Sequence, residues 1–226
     1  MRFLVPAAFA AALVLPAPAF AATPRELLVS AAFSTTDKAT ALARIAAAEK
    51  ASAAALARNA RNRDAQLQHA IAIGYRGQLK RNLHDVKIAR RAFEALVASD
   101  ADDPEAQMAL AGWHLGSIIE LGSLTARAAL GARREAGLRS LDRAVALGRG
   151  NAFFPGYASM LRIRLAPNDV AAARQLAEAA ARAPATTPID RIIKQRVAAL
   201  LVPLKAGKGK EAAALATKLM AFGRVQ

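Results

Sequence analysis

The side chains with chemical reach are few and widely spaced. The histidines are His69, His84 and His114, and there is no cysteine. A two-histidine metal grip on a helix needs its ligands three or four residues apart, and no pair here meets that spacing, so no zinc site is expected. His114 lies within an apolar run and reads as a hydrogen-bonded core or groove histidine. The acidic turn Asp100-Ala101-Asp102-Asp103-Pro104-Glu105 would open a calcium loop only with glycine at its sixth position and a carboxylate at its twelfth. Those positions hold Glu105 and Ala111, so Asp102 or Asp103 is expected to cap a helix instead. Gly207-Lys208-Gly209-Lys210-Glu211 lacks the serine or threonine that completes a phosphate loop and reads as a turn between helices. No serine sits in a nucleophile elbow, and without a thiol no cysteine nucleophile is possible. The expectation is a non-enzymatic chain with no catalytic residue, metal or cofactor.

The elements that carry these residues are helical. Alanine dominates a hydrophobic fraction of 54%, and alanine is chiefly a helix former. Runs of β-branched and aromatic residues that strands require are absent. A small residue followed by apolar or small residues four and seven positions on recurs as Ala41/Ile45/Ala48, Ala89/Phe93/Leu96, Gly137/Leu141/Ala144, Ala172/Leu176/Ala179 and Ala212/Ala216/Leu219. Each set shares one helical face. Turn residues between the sets divide the chain into about ten helices in five hairpins: 24–33, 38–58, 64–81, 85–99, 105–123, 126–147, 152–165, 168–182, 189–205 and 210–222. Stacked hairpins of this kind build an all-α, right-handed solenoid.

The stretch Ala106–Ala126 contains no lysine or arginine, and Glu120 is its one carboxylate. His114, Glu120 and its glycines argue against a membrane span. As a central buried helix it works: Gly112 and Gly116, one turn apart, would let a neighbouring helix come close, and Glu120 would pair with Arg127 if the helix continues. The group Phe153-Phe154-Pro155-Gly156-Tyr157 reads as a core cluster at a helix start.

Residues 1–21 have the form of a secretory signal peptide: Arg2, an apolar run from Phe3 to Leu15, and Ala19-Phe20-Ala21 before the expected cleavage. Residues 22–226 then form one domain, periplasmic or secreted, with no transmembrane span. That segment keeps 31 basic against 17 acidic residues, or +14. Such a field favours anionic partners. Outside the cytosol these are an anionic surface or ligand rather than nucleic acid.

The segment Ala89–Trp113 resembles the tetratricopeptide repeat. Ala89, Phe93 and Leu96, the Asp-rich turn, Pro104-Glu105-Ala106 and Leu110-Ala111 follow that family's order of small, aromatic, small, turn and next helix. The family's 34-residue period and tryptophan–leucine–glycine opening are not kept. The chain as a whole is similar to exported, tetratricopeptide-like proteins of unassigned function from alphaproteobacteria. The resemblance implies a scaffold that binds a protein or peptide in a groove lined by the first helices of its hairpins, near Met108, Gly112 and Leu115, and one hairpin earlier near Leu67, Ile71 and Tyr75. A binder of small anionic ligands, or an accessory subunit of a solute-transport system, is the alternative expectation.

Overall fold

The computed structural model describes residues 22–226, and the expected leader over 1–21 lies outside the described residues. Polar side chains set most helix starts by accepting bonds from the first free N–H groups. Thr23 caps α1 (Pro24–Phe33), Asp37 caps α2 (Lys38–Arg58) and Asn62 caps α3 (Arg63–Lys80). Asn82 caps α4 (Leu83–Ser99), and Asp103, within the acidic turn, caps α5 (Pro104–Leu121). There follow α6 (Ser123–Leu130), α7 (Arg134–Leu147), α8 (Phe153–Leu165), α9 (Val170–Arg182), α10 (Pro188–Lys205) with Thr187 as its cap, and α11 (Gly209–Leu219). The described chain is all-helical, eleven helices with no strand. No helix among the described residues is long and apolar enough to cross a membrane.

Four details depart from the sequence expectation. The helix expected over 126–147 is two helices. Gly131 adopts a left-handed conformation (φ 71°), its N–H bonds the Arg127 carbonyl, and the N–H of Ala132 bonds that of Ala126, which closes α6. A second positive-φ glycine, Gly122, separates α5 from α6, so Glu120 pairs not with Arg127 but with Arg164, at 2.9 Å. On α9 the buried set is Ala173, Ala177 and Ala180, one residue on from the expected Ala172, Leu176 and Ala179. The last helix ends at Leu219 rather than Phe222, because the residues after it leave the helix to dock on α1.

The other four sets face the core as expected, with Ala41, Ile45, Ala48, Ala89, Phe93, Leu96, Gly137, Leu141, Ala144, Ala212 and Ala216 buried and Leu219 half-buried. Close approach is made at other glycines than those expected. A Cβ at Gly77 on α3 would lie 2.9 Å from Asp85 Cβ and 3.0 Å from the Val86 nitrogen on α4. One at Gly156 on α8 would lie 2.3 Å from Ile193 Cγ2 and 3.0 Å from Val197 Cγ2, both on α10. At Gly112 and Gly116 a Cβ meets nothing within 4 Å among the described residues beyond the local backbone of α5, so no neighbouring described helix uses the room there. Between α2, α3 and α4 the guanidinium of Arg76 donates to Glu49 and, at 2.8 Å, to Asp85. Two apolar cores result. One joins Leu67, Phe93, Leu110 and Trp113; the other runs from α1 and α2 through Met108, Leu115 and Leu141 to α8, α10 and α11.

The two kinds of glycine predict opposite outcomes. Gly112→Ala raises stability by up to about 1 kcal/mol, because alanine is the better helix former and nothing obstructs it. Gly156→Ala lowers stability by about 1–3 kcal/mol, because Ile193 and Val197 must move. Thermal melting of the two variants checks both signs, and two shifts of equal sign contradict the packing described.

Candidate functional site

The carbonyl groups at the end of α1 have no partner within their own helix. They are met from the far end of the chain. The N–H of Phe222 donates to Ala32 O at 2.8 Å, and the guanidinium groups of Arg196 and Arg224 donate to Phe33 O at 2.7 and 2.9 Å. Arg44 reaches Ser30 O at 3.4 Å, and the N–H of Gln226 donates to Thr36 O at 2.9 Å. Arg196 also bonds Leu219 O and lies over the Phe33 ring, 4.7 Å from its centroid. Burial, with Arg224 nearby, pulls the Arg196 guanidinium down to about 10, so it stays charged at neutral pH. Among the described residues the buried Arg196, the half-buried Arg44 and the exposed Arg224 have no carboxylate partner; the negative end of the α1 dipole takes that place.

The segment Met220–Gln226 thereby lies against α1 and α3 as a strap of tight turns, in which the N–H of Gly223 bonds Met220 O and that of Val225 bonds Phe222 O, both at 3.0 Å. The Phe222 ring packs edge-on against Tyr75, centroids 4.8 Å apart, and Phe33 packs likewise against Tyr157 at 6.4 Å. Burial raises both phenols, that of Tyr157 to about 12. Phe222 holds φ 59°, an uncommon conformation for a bulky residue, which the surrounding bonds and ring packing enforce.

The six residues expected at the groove divide. Leu67, Met108 and Leu115 are buried, Leu67 in one core and the other two in the second. Ile71, Tyr75 and Gly112 are half-buried. Tyr75 lies beneath Phe222, while Gly112 belongs to an α5 face with Glu105, Ala109, Gly116 and Ile119, at which the glycine positions are uncovered. At the start of these helices a cleft of about 350 Å³ is lined by Leu67, Pro104 and charged groups, where Arg25 on α1 bridges Asp64 on α3 (2.6 Å) and Glu105 on α5 (2.7 Å). Sequence reasoning missed Arg196, Phe222 and Arg224. The signal for Arg196 was present: it interrupts the apolar face Ile193, Val197, Leu200 and Leu204 of α10.

The histidines lie apart, and no group of three or more metal-binding side chains forms among the described residues. His69 Nδ1 lies 3.2 Å from Ser52 Oγ, and the buried His114 accepts the Arg133 N–H at 3.3 Å. Burial, with Arg90 and Arg133 adding to it against Glu94, lowers His114 to about 4. The folded chain therefore holds the neutral imidazole, and the unfolded chain binds the proton first. The contribution is full above the ordinary value of 6.5 and is lost as pH falls from there towards 4. His114→Gln is expected to flatten the stability profile across that window, measured by denaturant unfolding at several pH values; an unchanged slope contradicts the assignment. Compared with known proteins, the chain matches no family model, no curated protein and no solved structure.

Proposed function

We propose that the chain is a non-enzymatic scaffold, a right-handed solenoid of tetratricopeptide-like hairpins exported to the periplasm or beyond, which binds a protein or peptide along the inner face of α3 and α5. The observation that carries this reading is the uncovered strip at Gly112 and Gly116, where, among the described residues, no atom beyond the local backbone of α5 comes within 4 Å of an added Cβ. Glycine costs about 1 kcal/mol relative to alanine inside a helix. Two such costs in one helix, with no neighbouring helix using the room, fit a face kept clear for something outside the chain. The strap supports the same reading from within the molecule: one edge of this face already takes a short chain segment, through backbone bonds to the end of α1 and an aromatic ring on Tyr75.

A small anionic ligand, or an accessory role in solute transport, fits less well. The arginines gathered at the end of α1 that would hold an anion, Arg44, Arg196 and Arg224, already donate to α1 carbonyls.

A photo-crosslinking residue placed at Gly112 in the cells that make the protein tests the proposal. It is expected to trap a peptide or protein that the same residue at Arg139, on the outside of α7, does not. Gly112→Leu is expected to keep or raise the melting temperature and to compete with capture by a crosslinker at Gly116. Equal trapping at positions 112 and 139 would overturn the reading.

A further inference from the structure

The large apolar side chains exposed among the described residues are Leu83, Leu121, Leu124 and Val202, at 49, 41, 87 and 71% of their full accessibility. They are distant in sequence, but packing brings them to one end of the molecule. The indole N–H of Trp113 on α5 donates to Val86 O on α4 at 2.8 Å, which sets the start of α4, with Leu83, beside the last turns of α5, with Leu121. Leu124 follows directly, in the first turn of α6. Arg164, in the last turn of α8, donates to Glu120 at 2.9 Å, so α8 ends beside the end of α5. The N–H of Phe153 donates to Asp190 at 2.9 Å, so α8 and α10 start together and Val202 stands near the height of Leu165, where α8 ends.

The same rim holds cations that are not engaged by acids. Lys80, Arg81, Lys87, Arg127, Lys205 and Lys210 are exposed and have no ion-pair partner among the described residues. The rim acids Asp85, Glu120 and Glu211 are tied to Arg76, Arg164 and Lys208, which leaves Asp37, Glu135 and Asp169. The opposite end also carries arginines. There Asp64, Asp100, Asp102, Asp103 and Glu105 neutralise Arg25, Arg63 and Arg143, while Arg58, Arg61, Arg149, Arg182 and Arg191 are exposed without an ion-pair partner among the described residues, so the two ends differ in their apolar side chains rather than in free charge. That end exposes none of the four large apolar side chains.

Protruding leucines set among unpaired lysines and arginines suit a layer that is apolar a few ångström below an anionic surface. A protein partner needs a contiguous apolar patch, whereas these side chains stand singly along a rim, and a lipid surface is continuous beneath all of them. We propose that this end of the molecule rests on an anionic lipid surface, with Leu83, Leu121, Leu124 and Val202 entering the headgroup layer and the lysines and arginines against the phosphates. The inner face of α3 and α5 is not part of this rim, so the two proposals stand or fall separately.

Co-sedimentation tests the inference, using the protein purified in the form in which cells release it, with its first residue read by mass spectrometry. Binding is expected to vesicles of phosphatidylglycerol and phosphatidylcholine and not to phosphatidylcholine alone. It should weaken strongly in 0.5 M salt, where screening confines surface charge to roughly half of its reach at 0.1 M. Leu121→Ser with Leu124→Ser and Val202→Ser should weaken binding about tenfold or more at unchanged melting temperature, since all three side chains face solvent. Lys80→Glu with Lys205→Glu and Lys210→Glu should weaken it further, since each cation strengthens attachment about fivefold. Arg58→Glu with Arg61→Glu and Arg149→Glu, at the opposite end, makes the same change in net charge and should lose far less. Absence of vesicle binding, equal binding to both lipid mixtures, or equal losses at the two ends overturns the proposal.

Discussion

The C-terminal end of α1 is the constraint around which the chain is arranged. A short helix presents a cluster of free carbonyl groups and a partial negative charge, and both need donors. Here the donors come from the opposite end of the sequence: the Phe222 N–H and the guanidinium groups of Arg196 and Arg224. A hydrogen bond from a charged group contributes about 1.5–3 kcal/mol, and an unmet buried carbonyl costs a similar amount. That outweighs the cost of about 1–2 kcal/mol for the left-handed conformation of Phe222. The balance explains why α11 stops at Leu219 although Met220, Ala221 and Phe222 are compatible with a helix. It also explains how Arg196, a buried cation without a carboxylate among the described residues, is tolerated beside Ile193, Val197 and Leu200.

The closure has a consequence for the exposed sides of α3 and α5. With Phe222 on Tyr75, the edge nearest α1 is filled from within, and the part along α5 is left open at Gly112 and Gly116. Glycine therefore has two uses in this fold. At Gly77, Gly137 and Gly156 it admits a neighbouring helix, and substitution must displace packed atoms. At Gly112 and Gly116 it leaves backbone uncovered. The first use belongs to stability, and the second fits recognition.

The helical class, most helix boundaries and four of the five small-residue faces were legible in the sequence, because capping residues and a period of 3.6 are local signals. The break at Gly131 was misread because a single glycine within a periodic pattern carries no sign of its φ. On α9, alanine occupies both Ala172 and Ala173, so composition alone does not fix which side faces inward. Of the residues expected to line a groove on α3 and α5, Leu67, Met108 and Leu115 are buried in the two cores, because apolar side chains at helical spacing serve a core and a groove alike. The strap was not legible at all, since pairing between Phe222 and Ala32 is a long-range contact that leaves no periodic trace.

Native-state hydrogen exchange at the Phe222 amide tests the closure most directly. If the strap completes α1, that amide is protected and opens together with the amides of the last turn of α1, with the same dependence on denaturant. Exchange of Phe222 at the rate of an unstructured chain, while α1 stays protected, would contradict the account.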